Sequence, residues 1–501
     1  MTTVRHALRA LNFGSSVAEF DQQLETYFVE TQPFLDLIED RRDIIAGDKG
    51  TGKTAIFKVL HKRYASIPSL RGTIVVPAFN LSGDPVFQSL ASKGELQEGE
   101  YIRFWKAYVL SIVGNWVLRT NRYRPRSKLH ALDILLRGLD LRSDADGIKP
   151  IFERVLARIN RLFAWKSLEF GIEIRETGFS FVPKVELAAA DEGEITVSVD
   201  KCLLLLDECL NEIGKSVWVA LDRLDEAFQG YPDTEIPALK ALLRTYLDLS
   251  EFSRIRMKLF IRRDLFARVV KGGFVNLTHI NARKIELKWD EDDLKTMLCR
   301  RVRENDAFCE KLGVKISDDD SSIFTRLFPA QVDQGTRKPI TWLWMMGRIS
   351  DGNGIKPPRN LIDLVSFARE AQLRREDRAP RELTQKSELI ESESLRLALA
   401  QLSETRVTDT LLAEAKNEVP LIEKFRRGKA EHSQDSLAKL MGVKRENVLE
   451  KIKPLLHLGF LGEVGSNYKV PILYRSGLEI TQGKAAGVSG VSETDPESDD
   501  D

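Results

Sequence analysis

Residues 47–54 read Gly47-Asp48-Lys49-Gly50-Thr51-Gly52-Lys53-Thr54, which satisfies every fixed position of G-x-x-x-x-G-K-[ST]. The short apolar run Asp43 to Ala46 leads straight into this segment, and Ile56, Phe57, Val59 and Leu60 follow at helical spacing. The glycines therefore join a strand to a helix. Gly47, Gly50 and Gly52 admit backbone conformations that side chains would block, so N–H groups can turn inward around a β-phosphate. The N-terminus of the following helix adds positive potential at the same point. Lys53 would bring an ammonium to the β- and γ-phosphates, and Thr54 a hydroxyl small enough to coordinate Mg2+. Asp48, Lys49, Thr51 and Ala55 complete the stretch expected to line a nucleotide. At average composition a chain of this length matches the pattern by accident roughly one time in fifty, and the flanking strand and helix lower that further.

A magnesium-bound triphosphate also needs a carboxylate at the end of a second strand. Two segments compete for that part. Leu203-Leu204-Leu205-Leu206-Asp207-Glu208 matches the letters best, but Leu203, Leu206, Leu210 and Ile213 fall three or four apart, and the run continues past its acids to Gly214 without a turn. That pattern reads as the buried face of a helix. Val217-Trp218-Val219-Ala220-Leu221-Asp222 is rich in β-branched residues, follows the Gly214-Lys215 break and ends in a polar cluster, Arg223-Leu224-Asp225-Glu226. The metal-side carboxylate is assigned to Asp222, with Thr54 as the other metal ligand. Hydrolysis further needs a group that orients the attacking water. Arg223 occupies the adjacent position, so that part falls to Asp225 or Glu226 if to either; as a bland alternative, the two acids stabilise a helix N-terminus. Arg262, at the tip of the strand Met257 to Ile261, offers planar bidentate pairing to a γ-phosphate or, as an arginine finger, to a neighbouring subunit. Equally, it can pair with Asp264 or Asp222.

Strands separated by helices, each ending in a polar tip, imply an α/β fold with a parallel sheet. Thr73 to Phe79 and Lys284 to Leu287 are further strand candidates. Residues 43–289 form the expected core. Within it, about 97–190 read as an insert: helical over 97–165, then a β-hairpin over 167–187 where Leu168, Phe170, Ile172 and Ile174 alternate with polar residues. Residues 1–42 are a lead-in and 290–385 a helical lid, with Trp342-Leu343-Trp344-Met345-Met346 as lid core. Residues 386–482 end in a winged helix: Ser436 to Leu440, a turn at Gly442-Val443, Lys444 to His457, then strands over Phe460 to Glu463 and Tyr468 to Tyr474. The last six acids lie in an acidic tail, 483–501, expected to be disordered.

Charge and cysteine usage exclude several classes. Lys plus Arg (75) balances Asp plus Glu (75) over 501 residues, so no chain-wide field draws the protein onto nucleic acid or lipid. The tail hides a basic body, since residues 1–490 carry a formal +6. Residues 421–453 hold nine bases against five acids, and Lys444, Arg445 and Asn447 open the expected recognition helix, where groove contacts concentrate. Cys202, Cys209, Cys299 and Cys309 are spaced as neither a disulfide framework nor a zinc or redox pair. The six histidines are scattered, and no apolar run reaches the ~18 residues a membrane span needs. Without an apolar signal core at the N-terminus, the protein is expected in the cytoplasm.

Taken together, these motifs resemble the bacterial P-loop ATPases of the Sll1717 type, close to the KAP and STAND NTPases of the AAA-like branch. The resemblance is carried by Leu11-Asn12-Phe13-Gly14 with Ala18-Glu19, Tyr27-Phe28-Val29-Glu30-Thr31, the glycine loop, Leu221-Asp222-Arg223-Leu224-Asp225-Glu226 and Phe260-Ile261-Arg262-Arg263-Asp264. Leu287-Lys288-Trp289, Pro358-Arg359-Asn360-Leu361-Ile362 and Tyr468 to Leu478 extend it over nearly the whole chain. It implies an ASCE-type P-loop NTPase: a sheet with an additional strand between the glycine-loop strand and the Asp222 strand, a helical lid and a C-terminal winged helix. It also implies sensor roles for Arg262 and Arg359. Arg223 stands where relatives often carry a second acid, and Arg263 replaces a small residue. Relatives often sit in antiviral defence or signalling assemblies.

The expected function is a nucleotide-driven ATPase, a regulator or motor. Two other readings fit the same residues: a DNA-binding winged-helix module with structural nucleotide, and an oligomerising nucleotide switch that recruits a separate effector chain. Nothing in the sequence points to a membrane partner.

Overall fold

The computed structural model describes residues 3–78, 96–143, 155, 172–175, 178–181, 199–227, 232–271, 273–315, 318–384 and 388–481. The acidic tail, Phe79 and much of the insert beyond residue 143 lie outside these residues. The chain divides into two compact units. One comprises Glu30–Asp48 and Lys53–Leu287, and the other Met1–Val29, Lys49–Gly52 and Lys288–Asp501.

The first unit is built on a parallel sheet. Its strands are β1 (Ile44–Gly47), β2 (Thr73–Pro77), β5 (Ser216–Leu221), β6 (Ile255–Arg262) and β7 (Lys284–Glu286), in the order β2-β5-β6-β1-β7. β3 (Ile172–Arg175) and β4 (Gly178–Phe181) form a separate antiparallel pair, Ile172 opposite Phe181, within the segment read as a hairpin. Ile44, Ile45, Ala46, Val217, Val219, Ala220, Leu259 and Phe260 are all buried. A parallel sheet covered on both faces requires such continuous apolar strands rather than alternating ones. β6 lies between β1 and β5, pairing Leu259 with both Ile44 and Leu221. This is the additional strand that defines the branch of P-loop NTPases expected from the sequence, and the register sets Arg262 beside Gly47.

Helices cover the sheet: α1 (Lys53–Arg63), α2 (Glu98–Thr120), α3 (Lys128–Gly138), α4 (Val199–Glu212), α5 (Leu224–Ala227), α6 (Pro232–Leu249) and α7 (Arg263–Val270). The helical stretch read over 97–165 includes, among the described residues, α2, α3 and helical Val155, with Ser127 capping α3. The rival Leu203–Glu208 run lies in α4, with Leu203, Leu206 and Leu210 buried. Asp207 accepts from the Arg254 N–H at 2.7 Å and the Ser253 hydroxyl at 3.0 Å. It thus holds the entry to β6, the opposite end of that strand from Arg262. At the same end Lys258 is fully buried. Its ammonium meets Asp43 at 2.6 Å and lies 3.9 Å from the Trp218 ring centroid, while Arg283 and Tyr246 also bond Asp43.

In the second unit, α8 (Glu291–Arg303), α9 (Thr341–Ile349) and α10 (Pro358–Arg378) form the lid, and α11 (Ser392–Arg406) leads to the winged helix. Trp342, Trp344, Met345 and Met346 are buried in a core that also takes Val4, Ala7 and Leu8 from the N-terminal helix Val4–Ala10 and Val448, Ile452 and Phe460 from the winged helix. Lid and winged helix therefore share one core. The Gly352 N–H donates to the Gly459 carbonyl at 2.7 Å, and a Cβ on Gly352 would run into the Leu461 carbonyl.

The winged helix consists of β8 (Glu431–His432), α12 (Gln434–Met441), α13 (Val448–His457), β9 (Gly462–Val464) and β10 (Asn467–Lys469). Gly442, at φ +70°, turns the chain after α12. Lys444, Arg445 and Asn447 lie at a 3-10 turn entering α13 rather than in the helix itself. Other details also differ from the sequence reading, among them the start of β9 at Gly462 instead of Phe460. The sheet has three strands, because His432 of β8 pairs with Tyr468. The final strand also stops at Lys469 instead of reaching Tyr474: Pro471, which cannot donate to a ladder, caps the short helix Ile472–Arg475.

Candidate functional site

The loop between β1 and α1 adopts the conformation its glycines allow. Gly50 (φ +79°) and Gly52 (φ +101°) lie in the left-handed region, where a side chain is strained. The Lys53 ammonium bonds the carbonyls of Gly47 (2.9 Å) and Asp48 (2.8 Å), so its side chain lies back along the loop it serves. Thr54 and Ala55 follow in the first turn of α1, half-buried. Burial pushes the Asp48 carboxyl above its ordinary value, with Arg263 and Lys53 acting against that. Arg263 Nε stands 3.2 Å from the Asp48 carboxylate.

Asp222 follows β5 directly and is only 3% exposed. The Thr54 hydroxyl and the Arg223 backbone N–H both bond its carboxylate, yet burial dominates and pushes its pKa up to about 6. Its Oδ2 is buried with no hydrogen-bond partner. An orphaned carboxylate oxygen beside a hydroxyl is a donor set that suits Mg2+, which binds through one or two protein oxygens and completes its shell with water and phosphate. No group of three or more His, Cys, Asp or Glu suited to a metal occurs among the described residues.

The other sequence candidates divide. Arg262 Nε and Nη2 bond the two Asp264 oxygens at 2.9 and 3.0 Å, one of the pairings anticipated. Arg223 takes a left-handed φ of 56°, uncommon for a non-glycine residue. It pairs with Glu226 at 3.4 Å, and Glu226 is exposed on the four-residue helix α5. The Asp225 side chain lies outside what is described. In the second unit, residues 49–52 meet α10: the Arg359 Cβ would stand 3.2 Å from a Cβ on Gly50, and Arg359 Nε is buried without a partner. Lys49 pairs with Glu414 at 3.0 Å.

Three contacts escaped sequence reasoning: Arg263 with Asp48, Lys49 with Glu414, and the Trp289 indole N–H donated to the Thr51 carbonyl at 2.7 Å. Only Trp289 carried a signal, as an aromatic among charges just past a strand.

On the winged helix, Lys444, Arg445, Asn447, Lys451 and Lys453 are placed at the 3-10 turn and along α13, and all five are exposed. Arg445 faces Asp435 at 3.4 Å and Lys444 faces Glu446 at 3.8 Å. No helix among the described residues is long and apolar enough to cross a membrane.

No family model matches the chain. The putative transposon gamma-delta 80.3 kDa protein of Escherichia coli (strain K12) is 22% identical over 306 residues, which is 58% of this chain and 39% of that protein. The chain thus matches well under half the length of that curated relative. Among solved structures, the Aeropyrum pernix ORC1 protein in complex with DNA is similar at 12% identity and a TM-score of 0.36, over 93% of this chain and 96% of that one. The Walker-type ATPase paby2304 of Pyrococcus abyssi is similar at 10% identity and a TM-score of 0.39, over 93% and 98%. For the A. pernix ORC2 protein the values are 13% and 0.37, over 91% and 96%. Likenesses this distant do not say what the chain binds or does.

Proposed function

We propose that the chain is a cytoplasmic ATPase of the P-loop class, akin to the Sll1717-type proteins, that binds ATP with Mg2+ on residues 47–55 and hydrolyses it. The observation that carries this reading is the unpartnered, buried Asp222 oxygen beside the Thr54 hydroxyl, at the foot of a glycine loop whose backbone is already bent. Backbone N–H groups of the loop and the start of α1 hold the β-phosphate. Lys53, on leaving the Gly47 and Asp48 carbonyls, bridges β- and γ-phosphates. Thr54 and Asp222 hold the cation, which when bound neutralises charge on the β- and γ-oxygens. Arg262, oriented by Asp264, and Arg359, whose buried Nε lacks a partner, are the cationic groups assigned to sensing the γ-phosphate. Asp225 or Glu226 orients the attacking water, Glu226 after leaving Arg223. Phosphate release from MgATP by the purified chain tests the reading. Lys53→Ala and Asp222→Ala should each abolish it, and turnover that survives both would refute it.

A second reading adds DNA as partner. Lys444, Arg445, Lys451 and Lys453 on and before α13 support it, and the curated relative is named for a transposon. Each phosphate neutralised should give a slope of about −0.9 in log affinity against log salt, so a flat response removes DNA from the account.

A further inference from the structure

The Thr51 carbonyl is the acceptor of one side-chain bond that ties the glycine loop to the start of the lid. Thr51 is 2% exposed, so its carbonyl has little access to water, and the Trp289 indole N–H reaches it at 2.7 Å. Trp289 sits two residues before the first turn of α8, whose N-cap is Asp290, and packs half-buried against the lid core. Its place is therefore fixed from the lid side.

A trans peptide is planar, and its C=O and N–H point in opposite directions. There are no cis peptide bonds in the described chain. Holding the Thr51 oxygen toward the indole therefore turns the Gly52 N–H away from Trp289. Gly52, at φ +101°, has glycine's freedom at the φ that follows this peptide, so the 51–52 peptide is free to rotate unless it is held. We infer that Trp289 is a positioning residue of the nucleotide site: its N–H locks the Thr51–Gly52 peptide with the Gly52 N–H aimed at the β-phosphate. Rotated the other way, the same peptide would present a carbonyl to that phosphate, and anion binding would meet repulsion in place of a donor.

This inference rests on the nucleotide-binding reading, and the experiment separates the two. Trp289→Phe keeps an aromatic ring in the lid core and deletes the donor. Benzothienylalanine at position 289, with sulfur in place of the indole N–H, does so at nearly constant shape and serves if the phenylalanine variant folds poorly. Equilibrium binding of ATP and ADP is measured calorimetrically for both variants, for wild type and for Lys53→Ala. One net hydrogen bond corresponds to about 2- to 12-fold in affinity. ATP and ADP should weaken by the same factor in that range, because both carry the β-phosphate, alongside the fall in melting temperature that an unsatisfied Thr51 carbonyl brings. A purely packing role would leave affinity alone. Wild-type affinity in both variants, or a loss confined to ATP, overturns the assignment while Lys53→Ala still weakens binding. If Lys53→Ala binds as wild type does, the nucleotide reading falls and this inference with it.

Discussion

Replacing Asp222 with asparagine should make the unliganded protein more stable relative to wild type as pH rises, while removing its metal-dependent activity. The cause is the carboxylate's surroundings: burial raises its pKa from 3.8 to about 6 despite the Thr54 hydroxyl and the Arg223 N–H. A folded-state pKa above the unfolded one means the native state holds more protons through that interval. Stability therefore falls as pH rises from about 4 to about 6 and is level beyond. The full shift corresponds to about 3 kcal/mol, of which about 2 kcal/mol accumulates between pH 4.5 and 7. Asparagine does not ionise, and its amide leaves the same orphaned position, so a constant offset between the two proteins cancels when pH is varied. Urea denaturation of both proteins at pH 4.5, 5.5, 6.5 and 7 measures the difference. It should move in favour of asparagine by about 2 kcal/mol across the series and then stop. A second readout has the opposite sign. Proton and cation compete for one carboxylate, so affinity for MgATP should fall about tenfold per pH unit below about 6 in wild type only. A stability difference that does not change with pH would refute the burial argument, and MgATP affinity that does not fall below about pH 6 in wild type would refute the assignment of this oxygen to a metal.

Lys258→Met leaves Asp43 buried with one cation fewer and should cost about 3 kcal/mol or more at pH 7 in urea denaturation. Burial raises the Asp43 pKa, but Lys258 and Arg283 outweigh it and hold the group low. The stability it contributes is lost as pH falls through that lowered value, so the cost of Lys258→Met should shrink in acid. Gly352→Ala drives a Cβ into the Leu461 carbonyl. It should lower stability by about 1–3 kcal/mol in the same assay. For DNA, Lys451→Glu and Lys453→Glu should each weaken binding across sequences and flatten the salt slope by about 1, as measured by fluorescence anisotropy.

Local chemistry with a long periodic context was legible in the sequence. The glycine loop is read from residue types, and the choice of Asp222 over Asp207 follows from spacing: Leu203, Leu206 and Leu210 repeat as a helix does, whereas Val217–Leu221 are continuously apolar as a buried parallel strand must be. Long-range pairings were not legible. β8 is two residues long, too short for any period, and is a strand only because Tyr468 lies opposite His432. The wing was read too far because Val470, Leu473 and Tyr474 continue its apolar pattern, though Pro471 ends the ladder. Trp289 and Arg263 act on loop residues more than 200 positions earlier, and nothing in their own neighbourhoods indicates the partner. Arg262 is a milder case: its partner Asp264 was one of the alternatives, and geometry selected it.

Calorimetric titration of ATP, with and without Mg2+, into wild-type protein and Lys53→Ala tests most directly whether residues 47–54 and Asp222 form a pocket for a magnesium-bound triphosphate. Saturable binding that is tighter with Mg2+ in wild type and at least about tenfold weaker in Lys53→Ala, the loss of a charge-assisted hydrogen bond, is the expected result. Equal affinity in the two proteins, or none in wild type, would contradict it.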